Sequence, residues 1–251
     1  MEGYGPASYG DGIADTYDEW YGDRLDTKAT VDALLSLADR TGSKRVLELG
    51  IGSGRLALPL AARGLDVWGV DASSAMVDRL RNKPGGELPV AIGDMEDLDL
   101  SPLPGGDTAR FGLVFVAINT FFNLTTDAAQ RRCLRRVRDV LEQDGVFVLE
   151  AFVPAVDAPT NAVVARTVEL DRVILTATQH DPTTQTVRGQ HIELRESGIR
   201  LRPWMIRYAP PDELDRMAAG AGLALIERWS DWSGAPFTDG DDAHVSVYGA
   251  K

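Results

Sequence analysis

The chain of 251 residues carries 38 acidic and 26 basic side chains, and its formal charge of −12 repels phosphate backbones and anionic lipid, so neither nucleic acid nor membrane is expected as a partner. Hydrophobic residues at 44% and charged residues at 25% are the composition of an ordinary soluble globular protein, read here as one domain over 1–251, and no stretch approaches the roughly 20 apolar residues of a membrane span. The single cysteine, Cys133, excludes an internal disulfide; with an N-terminus that lacks a basic region followed by an apolar run, it predicts a cytoplasmic protein without a signal peptide.

Residues 1 to 12 are rich in Gly and Tyr and, without later contacts, are expected to be mobile. Ile13 to Tyr21 reads as a short helix. Asp26 or Thr27 caps the next one, whose apolar stripe is Val31, Leu34, Leu35 and Ala38, and Gly42 ends it. From there strand and helix signals alternate. Strands are predicted from Arg45 to Leu49, Asp66 to Asp71, Leu88 to Ile92, Gly112 to Ile118 and Gly145 to Phe152. Helices are predicted from Gly54 to Arg63, Ser73 to Asn82, and from a Thr125 or Thr126 cap to Leu141. The third of these holds Arg131, Arg132, Arg135, Arg136 and Arg138, read as a solvated basic face, with Cys133 buried behind it. Continuously apolar strands separated by helices predict a parallel sheet covered on both faces.

After Pro154 the pattern changes. Val163 to Leu170, Val173 to Gln179, Thr186 to Glu196 and Ile199 to Tyr208 favour β-branched residues, with turn signals at 181–184 and at Ser197-Gly198. They predict an antiparallel β elaboration, residues 160–209, inserted before a helix from Pro211 to Ala219. Two last strands, Leu223 to Trp229 and Ala243 to Gly249, close the chain.

The chemistry-bearing segment is Glu48-Leu-Gly50-Ile-Gly52-Ser-Gly54, at the end of the first strand of the alternating series and before a helix. Glycines there tolerate positive φ and admit a ligand to the backbone, and the helix start offers free N–H groups to an anion. Gly52-Ser-Gly54-Arg-Leu-Ala57 also fits a dinucleotide loop, with Asp71 about 20 residues on, so a nicotinamide cofactor is an alternative at this point. Glu48 ahead of the glycines, Asp71 ending the second strand and Asp94-Met95 following the third place three acids at three consecutive strand ends.

That longer pattern resembles the class I S-adenosylmethionine-dependent methyltransferases, which implies a Rossmann-like α/β sheet, mostly parallel with the last strand antiparallel. The core resemblance covers roughly residues 28 to 153. It implies S-adenosylmethionine as cofactor, with S-adenosylhomocysteine as product. In the family's terms, Glu48, Gly50, Gly52 and Gly54 hold the methionyl end, Asp71 the ribose, and Asp94 with Met95 the adenine, with Ala72, Met76, Ala117 and Tyr17 also expected beside the donor and Arg24 placed to pair the methionyl carboxylate.

The acceptor is addressed by other residues. Tyr4, Tyr9, Tyr17, Trp20 and Tyr21 crowd the N-terminal segment, residues 1–26, and Tyr17 and Tyr21 stand one helical turn apart. In the family such a segment folds over the donor as a lid, which implies Tyr9 and Tyr17 as site residues. The loop after the fourth predicted strand, Asn119-Thr-Phe-Phe-Asn123, supplies the other two expected acceptor contacts, Asn119 and Asn123. His180, His191 and His244 lie far apart and are read as solvated or structural, and no metal-ligand spacing is present, so no metal is expected. The tyrosine-rich start, the asparagine loop and the inserted strands look most similar to small-molecule N-methyltransferases of actinobacterial antibiotic pathways, acting on amino sugars or on a lincosamide's ring nitrogen. The resemblance therefore implies a small amine as acceptor. An O-methyltransferase using His180 or His191, and a non-catalytic module that only binds the donor, are the alternatives. The inserted strands are as suited to a homo-oligomer interface as to a substrate wall.

Overall fold

The computed structural model describes residues 3–22, 26–155 and 158–250. Two short helices, α1 (Ser8–Ile13) and α2 (Tyr17–Tyr21), precede α3 (Thr27–Thr41). The single helix predicted from Ile13 to Tyr21 is thus divided. The chain turns at 14–16, where Thr16 Oγ1 donates back to the Ile13 carbonyl and Asp15 is drawn to Arg200 and Arg202. The segment expected to be mobile forms α1 because it finds contacts: Asp11 accepts from Ser73 Oγ, and Arg202 donates to the Gly12 carbonyl. Asp26 caps α3 by accepting from Ala29 N–H, and Gly42 ends it in the left-handed region.

The alternating series then runs β1 (Arg45–Leu49), α4 (Ala57–Ala62), β2 (Asp66–Asp71), α5 (Ser74–Arg81), β3 (Val90–Ile92), β4 (Phe111–Val116), α6 (Asp127–Val140) and β5 (Leu141–Phe152). A separate group follows: β6 (Asn161–Val168), β7 (Arg172–Asp181), β8 (Thr186–Arg195) and β9 (Gly198–Arg207). The chain closes with α7 (Pro211–Gly220), β10 (Leu223–Trp229) and β11 (Ala243–Ala250).

Seven strands form the main sheet in the order β10-β11-β5-β4-β1-β2-β3. All pairs from β5 to β3 are parallel, whereas β11 runs antiparallel to both of its neighbours. The sheet is buried on both faces, so its central strands are apolar over most of their length, and β4 carries no polar side chain. In β4, Leu113 and Phe115 pack with Val31, Leu34 and Leu60, while Val114 and Val116 pack with Cys133, Leu134 and Val137 of α6. The strand order reverses between β1 and β4, and in an open α/β sheet the crevice at the carboxyl ends beside such a reversal is where ligands bind.

The inserted strands β6-β7-β8-β9 make a second, wholly antiparallel sheet. Arg207 ties it to the core by donating to Gln130 of α6 and pairing with Glu213 of α7. No helix among the described residues is long and apolar enough to cross a membrane. Because Phe115 is fully buried in a central strand, Phe115→Ala is expected to cost about 3–5 kcal/mol, read as a fall in the urea midpoint.

Candidate active site

A cavity of about 410 Å³ opens at the carboxyl ends of β1, β2 and β3. That is within the range of small-molecule sites. Its floor is the loop after β1. Gly50 and Gly52 line it, both at positive φ (72° and 56°), and Asp71 at the end of β2 faces them. The Asp71 carboxylate accepts from Gly52 N–H at 2.8 Å and, through its other oxygen, from Ser73 N–H at 2.8 Å. Burial raises its pKa, and these two bonds offset only part of that rise. Ala72 and Met76 continue the same wall. Gly54 does not reach the cavity. A Cβ there would collide with Leu80, so its lack of a side chain serves the packing of α5 against the loop.

The adenine end expected from the sequence holds Asp94 and Met95, which both line the cavity. Asp94 Oδ1 accepts from Glu96 N–H at 2.9 Å, and burial raises its pKa. Beside it, Arg132 of α6 donates through Nε to Glu96 at 2.8 Å, and both residues line the cavity. One member of the arginine run read as a solvated face therefore belongs to this wall. Glu48 lies behind the loop rather than in the cavity surface. It is buried, its pKa is raised well above the usual range by desolvation, and its Oε2 has no hydrogen-bond partner.

The N-terminal segment covers the cavity and brings Tyr4, Tyr9 and Tyr17 to its wall. Tyr9 Oη lies 3.3 Å from Tyr21 Oη, and Tyr17 packs on Tyr21 with ring centroids 4.9 Å apart. Arg166 of β6 lies over both Trp20 and Tyr21, 5.0 and 4.9 Å from their ring centroids. Burial raises the Tyr9 phenol well above its ordinary pKa and pushes Tyr17 up to about 12. Both are neutral hydroxyls at physiological pH and cannot accept a proton there. Arg24 lies outside the described residues.

The loop after β4 divides the residues expected on it. Asn123 lines the cavity, as does Thr120. Asn119 is turned away: its Oδ1 accepts from Phe152 N–H of β5 at 2.6 Å. Ala117 is buried in the core below the cavity. The three histidines are also elsewhere. His180 pairs with Tyr208 Oη at 2.7 Å, His191 with Thr176 Oγ1 at 3.0 Å, and His244 with Ser246 Oγ at 2.8 Å. Burial depresses His191 and His244 to about 4, so both are neutral near pH 7. Sequence reasoning did not find Thr120, Glu96, Arg132 or Met205 of β9. Tyr4 was signalled only by the tyrosine-rich start, and nothing in the β9 pattern marks Met205 as a lining residue.

The family model described as Methyltransferase domain matches residues 46–145, from β1 into β5. The solved structure of the CcbJ methyltransferase from Streptomyces caelestis is 41% identical to this chain, covers 98% of it and 99% of its own length, and has a TM-score of 0.90. The chain belongs to the class I S-adenosylmethionine-dependent methyltransferases. The same fold is seen in the sugar N-methyltransferase KedS8 from a Streptoalloteichus species, 21% identical over 98% of both chains with a TM-score of 0.70. An uncharacterized methyltransferase from Geobacillus thermodenitrificans is 32% identical over 133 residues, and that match spans 53% of this chain and 56% of the relative. The chain thus spans little more than half the length of the first curated relatives it matches.

S-adenosylmethionine is the methyltransferase's cofactor, and the groups present fit it. The side-chain-free Gly50 and Gly52 cradle admits a chain against the backbone, and Asp71 and Asp94 are cavity-lining acceptors for hydroxyl and amine hydrogens. Asp71→Ala removes both carboxylate acceptors from the cavity wall and frees Gly52 N–H at once. It is expected to weaken donor binding about 100-fold or more in calorimetry, and unchanged affinity would remove Asp71 from the donor site.

Proposed function

We propose that this methyltransferase transfers its methyl group to the nitrogen of a small-molecule amine, an amino sugar or a related base of secondary metabolism. The observation that carries this reading is the chemistry of the cavity wall supplied by the covering segment, the loop after β4 and β9. Tyr4, Tyr9, Tyr17, Thr120, Asn123 and Met205 are hydroxyl, amide and thioether groups. The ionisable ones among them are phenols that burial keeps protonated. No histidine lines the cavity. A hydroxyl acceptor needs a base to take its proton during attack, whereas a neutral amine brings its own lone pair.

When bound, the donor would supply an electrophilic methyl on its sulfonium, which a neutral amine would take with its own lone pair as the C–S pair returned to sulfur, giving up its extra proton to water afterwards. The protein's work is alignment and exclusion of solvent. In this reading Gly50 and Gly52 hold the methionyl end with Glu48 buried behind their loop, Asp71 and Ala72 the ribose, and Asp94, Met95 and Met76 the adenine. Tyr9, Tyr17 and Asn123 orient the acceptor. The fold shared with the sugar N-methyltransferase KedS8 supports this choice of acceptor.

Mass spectrometry after incubation with S-adenosylmethionine and a panel of amines, amino sugars and matched alcohols is expected to show methylation of amines only. Methylated alcohols with untouched amines would overturn the reading. The turnover rate is expected to rise with pH through the pKa of the free acceptor amine, and to move when an acceptor of different basicity is used. Because Tyr17 is raised from 10.0 to about 12, its phenol keeps its proton, and no decline from its ionisation is expected up to about pH 10. A decline centred well below that, the same for every acceptor, would show that an enzyme group had been missed.

A further inference from the structure

The chain between β4 and the wall residue Asn123 passes through an uncommon backbone. Ile118 and Asn119 both have positive φ, 51° and 61°, although neither is glycine. Asparagine tolerates this region. A β-branched isoleucine does not, so Ile118 is held there against its preference. Such outliers persist only where the surroundings over-determine them.

The surroundings here are two residues of β5. The parallel ladder between β4 and β5 ends at the pair Val116 and Leu149. Beyond it, three further bonds join the strand to the loop. The Glu150 side chain, through Oε2, accepts from Ile118 N–H at 2.7 Å. The Glu150 backbone carbonyl accepts from Asn119 N–H at 3.2 Å. Asn119 Oδ1 in return accepts from Phe152 N–H at 2.6 Å. Only the first is made by a side chain of β5, and it is the shortest bond to the strained residue. Thr120 follows directly. Its methyl group occupies the space that a Cβ on Gly50 would take, and Thr120 and Asn123 both line the cavity.

We infer that Glu150 is a positioning residue: its carboxylate holds Ile118 in the left-handed region, and through that turn keeps Thr120 seated on the Gly50 backbone of the donor loop. This rests on the reading of the cavity as the donor site. The glutamate acts by reach and acceptor geometry rather than by charge. An amide oxygen at the same place accepts the same N–H, whereas a carboxylate one methylene shorter does not arrive there.

The test is donor affinity at 25 °C, measured by calorimetry with S-adenosylmethionine, beside the melting temperature of each variant. Glu150→Asp is expected to weaken binding about tenfold, while Glu150→Gln stays within about threefold of the wild type. Adding Ile118→Gly to Glu150→Asp is expected to bring binding back to within about threefold, because glycine adopts positive φ without the restraint. The opposite order, Asp retaining affinity and Gln losing it, would show that charge matters and overturn the inference. A lower melting temperature with unchanged donor affinity in Glu150→Asp, or failure of Ile118→Gly to restore binding, would overturn it as well. Absence of binding by the wild type is a separate outcome, which strikes at the donor reading of the cavity itself.

Discussion

The carboxylate of Asp71 is the point on which the site depends. It ends β2, and its two oxygens accept N–H groups from two separate segments, the glycine loop after β1 and the turn into α5. Gly50 and Ile51 N–H donate to the Val70 carbonyl of β2, and beyond them the glycine loop is tied to β2 by this carboxylate at Gly52. A buried carboxylate is costly unless its lone pairs are used, and here backbone donors use them. The arrangement extends outward. Ser73, whose N–H is bonded to Asp71, caps α5 through Met76 N–H and donates from the same hydroxyl to Asp11 of α1. One chain of bonds therefore runs from the glycine loop through Asp71 and Ser73 to the covering segment.

That segment is held from two sides by acids. Asp11 and Asp18 reach the main domain, Asp18 by accepting from Ser53 Oγ at 2.6 Å and pairing with Lys83 and Arg79. Asp15 and Glu19 reach the inserted sheet, at Arg200, Arg202 and Arg172. Exposed pairs of this kind contribute little individually. Arg202 is different. It is buried at 3% exposure and is shared between Asp15 and Glu193, so removing either acid leaves part of a buried charge unmatched. Between these anchors the tyrosines close over the cavity.

The parts of the fold that could be read from the sequence are those where one local rule dominates. Short, mainly apolar runs gave β1, β2 and β4 nearly to the residue, because strands buried on both faces keep their polar side chains mostly to their ends. Gly50, Gly52, Asp71, Asp94 and Met95 were placed at the cavity because strand ends and glycines mark a crevice directly. Asn119 was expected at the cavity and is turned away from it, since its orientation depends on Phe152, 33 residues away in β5. Arg132 was grouped with its neighbours for want of any view of Glu96 across the loop, 36 residues before it. Met205 lines the cavity through the position of a whole inserted sheet, which no periodicity reports.

The cavity walls have separate origins in the chain. The glycine loop, Asp71 and Asp94 are built by strands whose ends are fixed by the central sheet. Tyr4, Tyr9, Tyr17 and Met205 come from the first 21 residues and from an insertion after β5, joined to the core by side-chain bonds rather than by a shared ladder. None of these four side chains is a partner in the bonds that Asp71 makes to Gly52 and Ser73. The architecture thus separates what must be invariant in a transfer enzyme from what is free to diverge, and gives the accessory strands the latitude to fit a new nucleophile without rebuilding the machinery that delivers the methyl group.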